Sequence, residues 1–203
     1  MSFTYSIIDN FISEPDAETL IDYYKDKLSK SKTMSSDISG EYSKLRTSQD
    51  FYIGENIDDE NVKQIILDLK TKISNHSSIP IQNQELLNII RYLPGEQFHS
   101  HFDAFDRNAP YYRDELKLGG QRIKTYIICL QKAKLGGYTG FPKINQNVLL
   151  EKGQCILWNN VDSDGNILID SLHCGRCPVD GEKWIITCWI RENKYVELNR
   201  NNI

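Results

Sequence analysis

Two segments near the N-terminus carry the hydrophobic spacing of amphipathic helices. In the first, Ser13 precedes a proline and an acidic residue, a common helix start, and apolar residues recur at helical spacing to about Ser29. In the second, from about Glu60 to Ile73, the apolar residues form one stripe: Val62, Ile65, Ile66, Leu69 and Ile73. We predict two helices here, preceded by a strand over Phe3–Ile8 and separated by a loop over residues 30–44.

From about Gln84 onward, the pattern changes to short β-branched and aromatic runs separated by glycine, proline, asparagine and aspartate. Such runs are typical of the short strands of a barrel or sandwich. We predict six strands: Leu86–Tyr92, Gln97–Phe102, Arg122–Gln131, Gln154–Trp158, Ile167–His173 and Lys183–Arg191. The polar stretch from about Ala104 to Gly120 is predicted to be a long loop, and loops of that length usually carry function.

Length and composition favour one globular domain. The chain has 203 residues, of which 39% are hydrophobic and 26% charged, far from the composition of disordered chains. We interpret residues 1–203 as a single domain, with a strand-and-helix support region at 1–80 and a β-rich core at 84–192. The predicted fold class is mainly β with N-terminal helices, an α+β arrangement.

Charge and cysteine content narrow the range of partners and environments. The formal net charge is −4, which provides no basic surface for nucleic acid or anionic membranes. The start MSFTYSIIDN lacks the pattern of a signal peptide, and no run approaches the ~18 apolar residues of a membrane span. We therefore expect a soluble, cytoplasmic protein in which most of the five cysteines are reduced thiols.

Two histidines and one aspartate are candidate metal ligands. His101 and Asp103 lie two positions apart in a predicted strand, so both side chains project to one face, although such a pair could equally form a surface hydrogen bond. A distant second histidine, His173, ends another predicted strand. Two histidines with one carboxylate form the facial triad that leaves three coordination positions open on Fe(II).

A structural zinc site is the alternative. Cys174 and Cys177 follow His173 directly and could complete the four-donor set that zinc usually has. The chain has no second Cys-x-x-Cys, however, and Cys177 precedes Pro178 in a predicted turn. Iron is therefore favoured over zinc, and a redox role for the cysteine pair is favoured still less, because no βαβ pattern surrounds it.

The segment from Tyr92 to Asp103 resembles a signature of the prolyl 4-hydroxylase type of Fe(II)- and 2-oxoglutarate-dependent oxygenases. That signature is Tyr-x-x-Gly-x-x-aromatic-x-x-His-x-Asp, and its last two residues bind iron. Other blocks are similar to those of the family: Arg46-Thr47-Ser48, Gly119-Gly120-Gln121-Arg122, Gly136 to Pro142, Asp170 to His173, Gly181 to Trp184, and Trp189. The resemblance covers residues 45–191. Tyr138 departs from it, standing where the family usually has glutamate.

The resemblance implies a double-stranded β-helix, a jelly-roll barrel with the N-terminal helices against one sheet. It implies that the iron ligands are His101, Asp103 and His173. It further implies that Lys183 pairs with the distal carboxylate of 2-oxoglutarate, with Tyr92 and Thr139 as hydroxyl donors. A buried carboxylate needs such partners, since desolvation of an unpaired charge is costly.

The resemblance also implies the reaction and its substrate. Arg46, Arg122 and Trp189 are placed around a peptide substrate, and strand alternation puts Trp189 on the same face as Lys183. The implied activity is hydroxylation of peptidyl proline with dioxygen, coupled to decarboxylation of 2-oxoglutarate to succinate, with ascorbate as reductant. A proline-containing protein is the expected partner, and a compact bacterial or viral enzyme is the expected context.

Several alternatives stay open at this point. The same chemistry could hydroxylate another protein residue or a free amino acid. Nucleic-acid dealkylation is disfavoured, because such oxygenases use arginine where this chain has Lys183, and because the net charge is negative. In a different class, the fold could serve as a non-catalytic metal-binding or interaction module.

Overall fold

A computed structural model describes residues 3–32 and 45–196. The helices in these ranges are α1 (Glu14–Tyr24), α2 (Glu60–Ser77) and α3 (Tyr112–Lys117). The strands up to the first predicted metal ligand are β1 (Tyr5–Ile8), β2 (Ser29–Lys30), β3 (Gln49–Ile53), β4 (Leu87–Tyr92) and β5 (Phe98–His101). The later strands are β6 (Arg122–Gln131), β7 (Leu135–Gly136), β8 (Thr139–Phe141), β9 (Gln146–Val148), β10 (Cys155–Asn159), β11 (His173–Gly175), β12 (Pro178–Asp180) and β13 (Lys183–Arg191). Short 3-10 turns lie at Ile81–Asn83, Pro142–Ile144 and Ile169–Ser171.

The strands form two antiparallel sheets that face each other. The main sheet has the order β1-β10-β6-β13-β4-β3-β2, the small sheet has the order β5-β11-β8-β9, and β7 pairs with β12 beside them. This confirms the predicted jelly-roll, in which two sheets enclose the site. Strands from the region 1–80 form both edges of the main sheet. The proposed division of the chain near residue 80 stays a prediction.

The two faces of the main sheet are buried in different ways. Ile128 and Ile186 point away from the small sheet and pack against Leu20 of α1 and Leu69 of α2. Their neighbours in sequence point the other way, toward the small sheet: Ile127, Cys129 and Ile185. Strand alternation therefore gives β6 and β13 one face for the helices and one face for the space between the sheets.

Helix α1 begins where it was predicted and ends earlier. The Ser13 side chain accepts a hydrogen bond from the Asp16 amide at 3.2 Å, which caps the N-terminus. The helix stops at Tyr24 rather than near Ser29, because Ser29 and Lys30 pair with β3 instead. Residues 33–44 of the predicted loop lie outside the described residues.

Helix α2 confirms its predicted stripe. The Asp59 side chain caps it by accepting from the Val62 amide at 3.0 Å, and the five apolar residues of the stripe are buried. The helix continues four residues past Ile73 to Ser77. Within the described ranges, no helix has the length and apolar character needed to cross a membrane.

Three local predictions were wrong. Ile167–His173 is not one strand: Ile167 forms an isolated bridge with Val161, a 3-10 turn follows at Ile169–Ser171 with Ile169 facing solvent, and strand β11 begins at His173. The predicted loop at 104–120 contains the short helix α3. Strand β3 was missed because Gln49 and Asp50 interrupt its hydrophobic pattern, although Asp50 is buried.

Candidate active site

The three predicted metal ligands meet between the two sheets. Strands β5 and β11 pair so that His101 and His173 lie directly opposite each other, and Asp103 follows β5 two residues later. One potential ligand atom from each residue lies within 4.8 Å of the others. The Nε2 atoms of both histidines are 3.5 Å from carboxylate oxygens of Asp103. The donors therefore converge on one point, as a facial triad requires.

Backbone hydrogen bonds orient both imidazoles. Nδ1 of His101 lies 2.8 Å from the carbonyl oxygen of His99, and Nδ1 of His173 lies 2.9 Å from that of Ser171. Because a carbonyl oxygen only accepts, each Nδ1 must carry the proton, and each Nε2 presents its lone pair to the shared point. Burial also lowers the pKa of His173 to about 4, so this ring is neutral near pH 7.

Asp103 supplies the negative charge of the group. Its side chain is 3% exposed, and burial alone would raise the pKa of the carboxyl. At the low pH where the carboxyl titrates, attraction to the protonated His173 ring, a hydrogen bond from His101 and the charge of Arg122 outweigh burial and hold that pKa well below its usual range. Two neutral nitrogen donors and one carboxylate oxygen are the set that suits Fe(II), so the residues present fit this metal.

The His101 ring stacks on an aromatic ring, which in turn lies near a guanidinium group. The Phe98 ring lies 3.6 Å, centroid to centroid, from the His101 ring, and the Arg46 guanidinium lies 5.0 Å from the Phe98 centroid. Arg46 is itself buried and pairs with Asp50 at 2.7 Å, and its Nε donates to the Ser48 hydroxyl at 3.2 Å. Arg46 thus lies near the site with its charge already compensated.

A cleft joins the metal ligands to the predicted cosubstrate residues. It has about 440 Å³ of space between its walls and opens to solvent. Every predicted site residue except Arg122 lines it, and the remaining wall is formed by Ile90, Phe98, Ile127, Cys174, Gly175, Ile185 and Thr187. Lys183, Ile185, Thr187 and Trp189 all face this space, which confirms the alternation predicted for β13.

Lys183 lies at one end of the cleft. It stands opposite Tyr92 in the pairing of β13 with β4, with its ammonium 5.7 Å from the centroid of that ring and 3.4 Å from the Thr139 hydroxyl. Burial lowers the pKa of its ammonium to about 8. Among the described residues, no carboxylate lies within ion-pair distance of it. A buried cation without a protein counter-charge fits the distal carboxylate of 2-oxoglutarate.

Arg122 and Trp189 form a stacked pair at the edge of the cleft. The Arg122 guanidinium lies 3.9 Å from the Trp189 ring centroid and pairs with Glu85 through two hydrogen bonds of 2.6 and 2.8 Å. Arg122 therefore does not line the cleft itself but contacts Trp189, which does. The indole N–H of Trp189 is buried and has no hydrogen-bond partner among the described residues.

The cysteines do not join the metal ligands. All five are free thiols, and the potential metal-binding group of the described residues contains none of them. Cys174 follows His173 in β11, pairs with Gly140 and lines the cleft, but its thiol is not part of the ligand group. The arrangement offers no thiolate set for structural zinc.

Sequence reasoning missed most of the apolar wall. Phe98 was part of the quoted signature as its aromatic position, but its contact with His101 was not foreseen. Ile185 follows from the alternation of β13, since it lies two positions from Lys183, whereas Ile127 lies five positions from Arg122 and could not be found in this way. Ile90 and Gly175 could also have been found from strand alternation, since they lie two positions from Tyr92 and His173.

A jelly-roll with this donor set and a buried lysine defines a non-haem iron oxygenase. The sequence profile of the 2OG-Fe(II) oxygenase superfamily matches residues 87–191, just over half of the chain. Prolyl 4-hydroxylase 13 of Arabidopsis thaliana is 32% identical over 204 residues, an alignment that covers 93% of this chain and 71% of that protein. The chain therefore belongs to the 2OG-Fe(II) oxygenase superfamily, among its prolyl 4-hydroxylases.

Two solved structures share the fold. The viral collagen prolyl hydroxylase of Paramecium Bursaria Chlorella virus-1, in its 2-oxoglutarate complex, matches with a TM-score of 0.68 at 23% identity, covering 92% of this chain and 95% of the viral one. A Trichoplax adhaerens prolyl hydroxylase, in complex with a hypoxia inducible factor peptide fragment, matches with a TM-score of 0.63 at 15% identity and covers 93% and 83%. At these identities the likeness concerns the fold.

Proposed function

We propose that this 2-oxoglutarate-dependent dioxygenase hydroxylates proline in a peptide or protein at the C4 ring carbon. One observation carries the proposal: a buried, unpaired lysine and a convergent His-Asp-His group share one cleft. The choice of proline rests on the relatives, which are named prolyl 4-hydroxylases. The two arguments are separate, so the chemistry and the substrate are tested separately.

Different residues of the cleft would bind the metal and the cosubstrate. His101, Asp103 and His173 would hold Fe(II), and Lys183 would pair with the distal carboxylate of 2-oxoglutarate, with hydroxyl donors from Thr139 and Tyr92. When bound, Fe(II) with 2-oxoglutarate and dioxygen supplies an oxidant that hydroxylates an unactivated carbon while the cosubstrate becomes succinate and carbon dioxide. Ascorbate would restore Fe(II) after turnovers that fail to couple.

The chain's own contribution is orientation and exclusion of water. Ile90, Ile127 and Ile185 give the cleft an apolar wall between the metal ligands and Lys183, which strengthens the electrostatic contacts made there. The unpartnered indole N–H of Trp189 would donate to a substrate carbonyl, while Arg122 holds that ring from behind. Arg46 also lines the cleft and would contact the peptide substrate there.

The substrate proposal is tested by identifying the product. Purified protein with Fe(II), 2-oxoglutarate and ascorbate is incubated with proline-containing peptides and with matched peptides that carry alanine for proline. Mass spectrometry should find one added oxygen on proline residues only, and NMR of the product should place the hydroxyl at C4. Oxidation at another residue, or equal oxidation of the alanine peptides, would replace proline as the substrate.

A further inference from the structure

A short chain of buried hydrogen bonds ends on the carboxylate of Asp103. The hydroxyl of Thr125 lies 2.6 Å from Oδ2 of Asp103, and Nδ2 of Asn160 lies 2.9 Å from that same hydroxyl. Thr125 and Asn160 are both fully buried. Neither residue belongs to the ligand set, and neither lines the cleft.

The direction of these hydrogen bonds follows from the donors present. Thr125 has one hydroxyl proton and two candidate acceptors, Oδ2 of Asp103 at 2.6 Å and Oδ1 of Asn160 at 3.3 Å. The carboxylate is the nearer and the charged acceptor, so the proton goes to Asp103. The amide of Asn160 then donates to the oxygen of Thr125 and fixes the hydroxyl rotamer.

The surrounding residues keep this series of hydrogen bonds dry and rigid. Thr125 lies in β6 with Trp158 opposite it on β10 and Trp189 opposite it on β13, and Trp158 also packs edge-on against His173. Asn160 is held by its backbone: its amide donates to the Ile123 carbonyl at 2.8 Å, and its carbonyl accepts from Leu168 at 3.0 Å. Hydrogen bonds in such a low-dielectric setting are strong, and their geometry is well defined.

We propose that Thr125 and Asn160 are positioning residues for the metal. The hydroxyl of Thr125 engages Oδ2 and fixes the rotamer of Asp103, so that the carboxylate faces the shared ligand point, with Oδ1 3.5 Å from Nε2 of His101 and Oδ2 3.5 Å from Nε2 of His173. Hydrogen-bond partners of metal ligands commonly change metal affinity about 10- to 100-fold when they are removed. This inference rests on the iron site of the proposed function.

The test compares the metal affinity of full-length variants. Thr125→Val keeps the shape of the side chain and removes its donor, while Thr125→Ser keeps the donor. Affinity for Fe(II) under anaerobic conditions, and for Co(II), is measured by competition with a chelator. We expect Thr125→Val to weaken binding about 10- to 100-fold, Thr125→Ser to stay near the wild type, and Asn160→Ala to fall between them.

A second readout separates positioning from general damage. The visible absorption of the Co(II)-loaded protein reports ligand geometry, so it should change in Thr125→Val and be restored in Thr125→Ser. Unfolding of each variant without metal shows whether the fold is intact. If Thr125→Val does not fold, Asn160→Ala is compared with the wild type instead. Wild-type affinity and an unchanged spectrum in the folded variants would overturn the inference. Failure of the wild type to bind either metal would instead overturn the iron site itself.

Discussion

Burial determines what Lys183 can do. An exposed lysine would be screened by water, but this ammonium is enclosed between Tyr92, Thr139 and the apolar wall of the cleft. Removing it from water lowers its pKa to about 8 and leaves a charge that a bound carboxylate would compensate. Two predictions at the residue scale follow from this setting.

The first concerns removal of the ammonium. Lys183→Ala should keep the metal and weaken 2-oxoglutarate binding about 30-fold or more, because loss of one partner of a buried charge pair costs at least about 2 kcal/mol. Calorimetry on the metal-loaded protein measures both affinities. The matched control is Lys132→Ala, which removes an exposed lysine that is paired with Glu151, and should bind 2-oxoglutarate normally. Unchanged affinity in Lys183→Ala would show that the cosubstrate binds elsewhere.

The second prediction concerns pH. Lys183 binds a carboxylate only while protonated, and its lowered pKa means that the charged fraction falls as pH rises through about 8. The affinity for 2-oxoglutarate should therefore be about tenfold weaker at pH 9 than at pH 7. In Lys183→Arg, whose guanidinium keeps its charge in this range, any binding that remains should lose this dependence. An affinity that stays constant to pH 9 in the wild type would contradict the assignment.

At the residue scale, the spacing of residues along the sequence made the metal ligands and Lys183 predictable. His101 and Asp103 share one face of the chain, and Lys183 and Trp189 share one face of β13, so the two-residue period of a strand is enough to group them. Thr125 and Asn160 could not be found in this way. Their importance depends on which strands become neighbours, and the sequence does not encode that register locally.

At the element scale, the small sheet brings the two histidines together. Pairing of β5 with β11 sets His101 opposite His173, while Cys174, the next residue, pairs with Gly140 of β8 and stays outside the ligand group. The 3-10 turn before β11 was one of the elements that prediction missed, because Ile167, Leu168 and Ile169 look like a strand although Ile169 is exposed. The helix stripe of α2 and the strands β6 and β13 were predictable because their periodic patterns are long.

The ligand group includes His173 but neither of the two cysteines that follow it, which predicts which side chains hold metal. His173→Ala should lower Fe(II) affinity by more than about 100-fold, beyond the effect expected for an outer hydrogen-bond partner. The double variant Cys174→Ala and Cys177→Ala should bind Fe(II) like the wild type, because neither thiol belongs to the ligand group. Metal analysis after anaerobic reconstitution and desalting measures both. Loss of stoichiometric metal in the double variant would restore the thiolate interpretation.

At the scale of the whole molecule, a buried ion network joins the 104–120 segment to the main sheet. Arg191 of β13 pairs with Glu85 and with Glu115 of α3 at 2.9 Å, and it donates to the Gly120 carbonyl at 2.7 Å. Glu85 also pairs with Arg122, which stacks on Trp189 at the cleft. The network therefore connects this segment to the wall of the site.

Weakening that network should loosen the segment without disturbing the metal. In Arg191→Met, we expect faster limited proteolysis within residues 104–120 and unchanged Fe(II) affinity, because the two histidines lie in β5 and β11 and Asp103 is held by the Thr125 hydroxyl. Cleavage sites and rates are followed by mass spectrometry. Arg113→Met, which alters an exposed side chain of α3, serves as the control. Equal cleavage rates in both variants and the wild type would show that Arg191 does not anchor the segment.

The central claim is that one cleft couples 2-oxoglutarate oxidation to hydroxylation of a proline peptide. Its most direct test is succinate formation by the Fe(II)-loaded protein, measured with and without proline peptide and compared with the hydroxyproline formed. We predict peptide-stimulated succinate in amounts equal to hydroxyproline, abolished in His173→Ala. The absence of succinate from protein that holds stoichiometric Fe(II) would contradict the account.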